Sequence, residues 1–144
     1  MAERVAGFRS RLAALLDRVE RMGATPIVVT QPRGDSRIVD GKVMGLARTR
    51  PRTYLNVRDP VMGVLRPGTA NGVDYYLLLE PFNRASLEIC RRAKGVCIDL
   101  AGELHFEAGD FYDHAHTTAA GSRRIGAYLF DKLAPKFAGD TARR

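Results

Sequence analysis

No apolar run in this chain approaches the ~20 residues that a membrane-spanning helix needs. Met1-Ala2-Glu3-Arg4 leads straight into an amphipathic pattern rather than into the apolar stretch of a signal peptide. No membrane partner is expected, and the compartment stays open. Basic residues are plentiful, 23 lysines and arginines against 16 acids, but no long basic run exists. Arg4, Arg9, Arg18, Arg33, Arg58, Arg91 and Arg123 are scattered, with no aromatic residues interleaved as stacking platforms. The net charge of +7 therefore does not by itself call for nucleic acid as a partner. Only two cysteines occur, Cys90 and Cys97, on a helix and a strand that pack together in the expected fold; they read as a pair of buried or half-buried thiols.

With 45% hydrophobic and 27% charged residues, the 144-residue chain fits one globular unit. Val5, Phe8, Leu12, Leu15, Val19 and Met22 recur at spacings of three and four, which lines one stripe of a helix from Ala2 to Met22. Gly23 follows as a residue that ends helices in the left-handed conformation. Pro26-Ile27-Val28-Val29-Thr30 is a short β-branched run, the pattern of a strand buried in a parallel sheet. From Pro32 to Leu79 the periodicity is lost among recurrent glycines and prolines. This length of chain is expected to be a functional loop or an excursion with small elements of its own. Pattern returns at Glu80 in a helix ending at Gly95, followed by Val96-Cys97-Ile98-Asp99-Leu100 as a second buried strand. Ile125, Tyr128, Leu129 and Leu133 mark a last helix, capped by Thr117 or Thr118, and residues 138–144 read as a flexible tail.

Strands alternating with helices imply an α/β fold with a parallel sheet. Two strands cannot cover three apolar helix stripes, so the chain is expected to be part of a larger domain or to borrow strands from a partner. An uncovered sheet edge would favour self-association.

The densest group of functional side chains is Asp110-Phe111-Tyr112-Asp113-His114-Ala115-His116-Thr117-Thr118, directly before the last helix. An acid three residues before a histidine on one turn can hold the ring Nδ1–H and leave Nε2 free to take a proton. Asp113 and His116 have that spacing. The same string offers a metal site as an alternative, through His114, His116, Asp110, Asp113 and His105, although no local spacing ties His105 to the others. A non-catalytic interaction module, binding through the basic segment over 32–79, is a further alternative.

The run Asp113-x-x-His116-x-Thr118-x-x-Gly121 resembles the last block of the SGNH/GDSL serine hydrolase family, Asp-x-x-His-x-Thr-x-x-Gly before the final helix. The passage Gly23 to Pro32, the pair Phe82-Asn83, the strand Val96 to Leu100 and Phe111-Tyr112-Asp113 add to the likeness, which covers most of the chain outside the irregular segment. The resemblance implies a three-layer α/β/α, flavodoxin-like fold, of which residues 1–137 are the C-terminal portion with a long loop insertion over 32–79. It implies that Asp113 and His116 are the acid and base of a Ser-His-Asp triad acting on a small-molecule ester or acylated substrate, with no cofactor and no metal. The family's nucleophile and oxyanion blocks would precede Met1, so this stretch alone is expected to be catalytically silent. Gly34-Asp35-Ser36 copies the nucleophile motif in letters but follows the wrong strand. Arg33, Arg37, Lys42, Arg48, Arg50, Arg52, Arg58 and Arg66 in the 32–79 segment would suit an acidic substrate.

Overall fold

The computed structural model describes residues 1–47, 50–55, 71–107 and 109–138. Arg48, Arg58 and Arg66 of the basic segment lie outside the described residues, as does the tail from 139 onward. In chain order the elements are α1 (Ala2–Arg21), β1 (Ile27–Val29), β2 (Ser36–Val39), β3 (Lys42–Ala47), β4 (Arg50–Leu55), α2 (Gly72–Arg92), β5 (Val96–Ile98), α3 (Leu100–Glu103) and α4 (Ala119–Phe137). Helices and strands are mixed, and β1 and β5 form a small parallel sheet with Ile27 opposite Val96 and Val29 opposite Ile98.

The first helix ends at Gly23, whose φ of 76° is open only to a residue without Cβ strain. Its apolar stripe is phased differently from the sequence expectation. Leu16 is the fully buried residue, packed with Ile89 and Cys90, whereas Leu15 is 57% exposed and Met22 77%. Both leucines flank the stripe of a 3.6-residue helix, and the packing of α1 on α2 selects the one turned toward that partner. Phe8 meets Phe82 of α2 edge to face at 5.3 Å, and Arg9 pairs with Glu88 on the same seam.

The segment from 32 to 79 is not one irregular loop. Strands β2, β3 and β4 form an antiparallel meander within it. Helix α2 begins at Gly72, eight residues before the expected start at Glu80. Asn71 caps it by accepting from the N–H groups of Val73 and Asp74, while the Asp74 carboxylate accepts from the Asn71 N–H. Pro81 lies inside the helix and has no N–H for the carbonyl of Leu77. Leu77 is on an exposed part of the helix, where water can serve that carbonyl. The meander is tied down where β3 meets the start of α2 through two glycines. A Cβ on Gly45 would sit 2.1 Å from the Val73 nitrogen, and one on Gly72 would sit 1.8 Å from the Asp35 carbonyl oxygen.

Cys90 and Cys97 are joined in a disulfide, which corrects the expectation of two thiols. The tight turn between α2 and β5 brings their Cα atoms to 5.8 Å, inside the range a disulfide spans. The core around Leu16, Ile89 and Cys90 takes in Leu12, Val28, Ala93 and Cys97, and so covers one face of the β1–β5 pair. On β1, Ile27 and Val29 alternate with Val28 and remain 43% and 38% exposed. Among the described residues β1 pairs with β5 only, so its outer edge carries no strand. No described helix is long and apolar enough to cross a membrane.

Candidate functional site

The carboxyl ends of β1 and β5 are stitched together by side chains. Thr30, 2% exposed, donates its hydroxyl to Asp99 Oδ1 at 2.8 Å and accepts the Ala101 N–H at 2.9 Å. Asp99 also accepts from the Gly102 N–H and so caps α3, which explains why β5 ends at Ile98 rather than Leu100. Asn83, in the middle of α2, accepts the Gln31 N–H at 3.0 Å and donates its Nδ2 to the Gln31 carbonyl at 2.9 Å. This clamp holds the chain as it leaves β1, a role that helix position alone did not reveal. Beyond it Arg33 binds Asp35 with two hydrogen bonds of 2.8 and 2.6 Å. The Arg33 guanidinium also lies over the Tyr75 ring at 4.6 Å. Asp35 is thus committed to Arg33, and Ser36 opens β2, so Gly34-Asp35-Ser36 is built as a strand entry.

From α3 the chain turns toward α4 through residues 105–118. Asp110, 3% exposed, anchors this passage. Its carboxylate accepts the Glu107 N–H at 2.7 Å and faces Arg124 Nε at 3.3 Å, while its carbonyl accepts the Thr118 N–H. Thr118 is the cap of α4, accepting from the Gly121 N–H and donating to the Gly109 carbonyl. Gly121 must be glycine because a Cβ there would meet the Asp110 carbonyl oxygen at 2.1 Å. The Thr-x-x-Gly part of the motif therefore serves the helix start.

Between Asp110 and Thr118 the chain closes a short turn. Phe111 bridges Thr117 and the Tyr112 N–H donates to the His116 carbonyl. At its tip Asp113 and His116 come together. Asp113 Oδ1 accepts the N–H groups of Ala115 and His116, each at 2.7 Å, and Oδ2 lies 2.7 Å from His116 Nδ1. The Ala115 and His116 backbone donors, with the imidazole beside them, hold the Asp113 carboxyl well below the usual carboxylate range. An ionised carboxylate only accepts hydrogen bonds, so Nδ1 is the protonated nitrogen of this contact. His116 Nε2 has no hydrogen-bond partner among the described residues, and its side chain is 67% exposed. Tyr112 stacks on the imidazole, centroids 5.6 Å apart and rings 12° from parallel.

His114 does not join the pair. Its carbonyl accepts the Gly34 N–H at 3.1 Å, which ties the turn to the loop after β1. Asp110 is committed to Arg124 and to the backbone, and among the described residues no three His, Cys, Asp or Glu side chains surround a common point. Of the residues proposed from sequence for a metal site, only Asp113 and His116 come together.

A cleft of about 450 Å³ opens at the carboxyl ends of β1 and β5, between α2 and the two chain segments that follow those strands. Tyr76, Asn83 and Asp99 line it; Asp113 and His116 do not. The sequence had no signal for it, since its walls come from three stretches far apart in the chain.

Comparison with protein-family models, with curated proteins and with solved structures gave no match to this chain.

Proposed function

We propose that this chain is the C-terminal part of an SGNH/GDSL-type serine esterase domain, supplying the Asp113 and His116 of a Ser-His-Asp triad. The observation that carries the reading is the 2.7 Å contact between His116 Nδ1 and the ionised Asp113 carboxylate, with no partner for Nε2 among the described residues. Such a pair has the geometry of a base held in one tautomer by an acceptor. Its position after the last strand of a parallel pair supports a flavodoxin-like, three-layer arrangement, in which chemistry collects at the carboxyl ends of the strands.

The residues divide the work in a definite way. His116 Nε2 takes the proton of a serine hydroxyl as that oxygen attacks the ester carbonyl, then returns it to the leaving alcohol. Asp113 stabilises the imidazolium formed in between and keeps the ring from turning. A water activated by the same nitrogen then releases the acyl group. Neither the serine nor the oxyanion donors belong to this chain, and each missing donor is worth about 10²–10³ in rate. The open outer edge of β1 is where strands carrying them would join the sheet.

Labelling with a fluorophosphonate, which reacts with activated serines, tests the reading. The 144-residue chain should remain unlabelled, and a polypeptide extended upstream by the strands that complete the sheet should be labelled. His116→Ala in that longer form should abolish labelling. Labelling that persists in the His116 variant would dismiss the triad.

A further inference from the structure

Most charged side chains on the walls of the cleft at the ends of β1 and β5 have partners within the protein. Arg33 is bound to Asp35, Arg84 to Glu80 at 2.8 Å, and Glu103 to Lys132 and to the Tyr128 hydroxyl. Arg37 is engaged as well. Asp99 accepts from Thr30 and Gly102. A charged ligand would compete with these pairs, of which Arg33–Asp35 is the most buried and the most costly to break. Among the described residues, Arg33 and Arg37 are the basic residues of the 32–79 segment that line this cleft.

Four polar side chains on the same walls stay uncommitted among the described residues, the His105 ring being one of them. The Tyr76 hydroxyl, the Gln31 amide and the Ser36 hydroxyl line the cleft and have no hydrogen-bond partner among the described residues. Burial, together with the nearby carboxylates of Glu80 and Asp99, raises the Tyr76 phenol above its ordinary range, so it faces the cleft as a neutral donor and acceptor. Beside these groups lie apolar surfaces from Leu79, Leu104 and Phe106. The volume falls within the range that small-molecule sites occupy, about 300–1,000 Å³. A ligand that suits such walls is uncharged, carries several groups that both donate and accept, and has an apolar face.

We propose that this cleft binds a neutral, hydroxyl-rich ring, a sugar unit. Two walls carry it toward the turn at Asp113. Phe106 packs against Phe111 at 5.1 Å, and Arg33 precedes Gly34, whose N–H donates to the His114 carbonyl. Resting on the esterase reading, the ester cleaved is then one carried by a hydroxyl of that sugar.

The test is amide chemical-shift perturbation of the ¹⁵N-labelled 144-residue chain with neutral methyl pyranosides of the gluco, galacto, manno and xylo series. Glucuronate and glucose 6-phosphate are the charged comparators. At least one neutral pyranoside should move the amides of Gln31, Tyr76 and residues 101–106 saturably. Tyr76→Phe, checked for folding by circular dichroism, should weaken that binding roughly tenfold through loss of one hydrogen bond. Silence across all four neutral sugars, stronger binding of the charged pair, or shifts confined to another surface would each overturn the site. Failure of the esterase reading is told apart by fluorophosphonate labelling of the extended polypeptide. Labelling without sugar binding removes the sugar site alone, and sugar binding without labelling removes only the link to ester cleavage.

Discussion

Arg124 in α4 reaches across to Asp110, with Nε 3.3 Å from a carboxylate that is almost wholly buried. The same guanidinium meets the Glu107 carboxylate at 3.1 Å and the His105 carbonyl at 3.3 Å, so one side chain gathers the passage that presents Asp113 and His116. Arg124→Met should cost roughly 1–2 kcal/mol, since Arg124 is partly exposed and Asp110 keeps its Glu107 N–H. Urea unfolding measures the loss. A variant as stable as the parent would show that α4 does not hold the turn.

Gly72→Ala and Gly126→Ala should have opposite signs. The first drives a Cβ into the Asp35 carbonyl and should destabilise by about 3 kcal/mol, because backbone rather than a side-chain tip is in the way. The second adds a Cβ in open space within α4 and should stabilise by about 0.5–1 kcal/mol. Thermal melts of the pair decide, and a harmless Gly72→Ala would contradict the close approach of β3 to α2.

Asp113 gives the turn a definite acid response. Its carboxyl is depressed below the ordinary 3.8 by the Ala115 and His116 donors, so the stabilisation it lends is complete above that pH. It is lost as pH falls below 3.8 toward the folded-state value. Carbon-13 detection of the Asp113 carboxyl should find a midpoint below 3.8, and the Ala115 and His116 amides should shift in the same range. A midpoint at or above 3.8 would show that the bonds do not form in solution.

The Cys90–Cys97 link closes a loop of few residues, and the chain-entropy model assigns such a loop roughly 2–3 kcal/mol. The Cys90→Ala/Cys97→Ala double variant should lose about that much by urea unfolding. Mass spectrometry of the parent under non-reducing conditions should find the two sulfurs joined. Two free thiols in the oxidised preparation would refute the pairing.

The exposed Ile27 and Val29 beside a strand edge that has no partner among the described residues should make the chain self-associate. Sedimentation velocity should detect species above 15.9 kDa, and Val29→Lys should shift them toward the monomer. A parent that stays monomeric across concentration would count against this edge as a contact surface.

The local features were legible in the residues alone. Helix periodicity, the glycine after α1, the β-branched runs of β1 and β5 and the threonine before α4 all act within a few residues, where backbone preference and burial pattern are readable. The Asp113–His116 contact belongs with them, because a three-residue spacing inside one turn leaves few other places for the carboxylate. Which leucine of α1 is buried was set by packing, since Leu15 and Leu16 flank the same stripe and the position of α2 chooses between them. The meander over β2 to β4 and the early start of α2 rest on the Gly45–Gly72 approach, a contact between backbones 27 positions apart that leaves no periodic trace. The Arg124–Asp110 pair, the Asn83 clamp and the cleft at the strand ends have the same origin. Each joins residues whose distance in the chain says nothing of their distance in space.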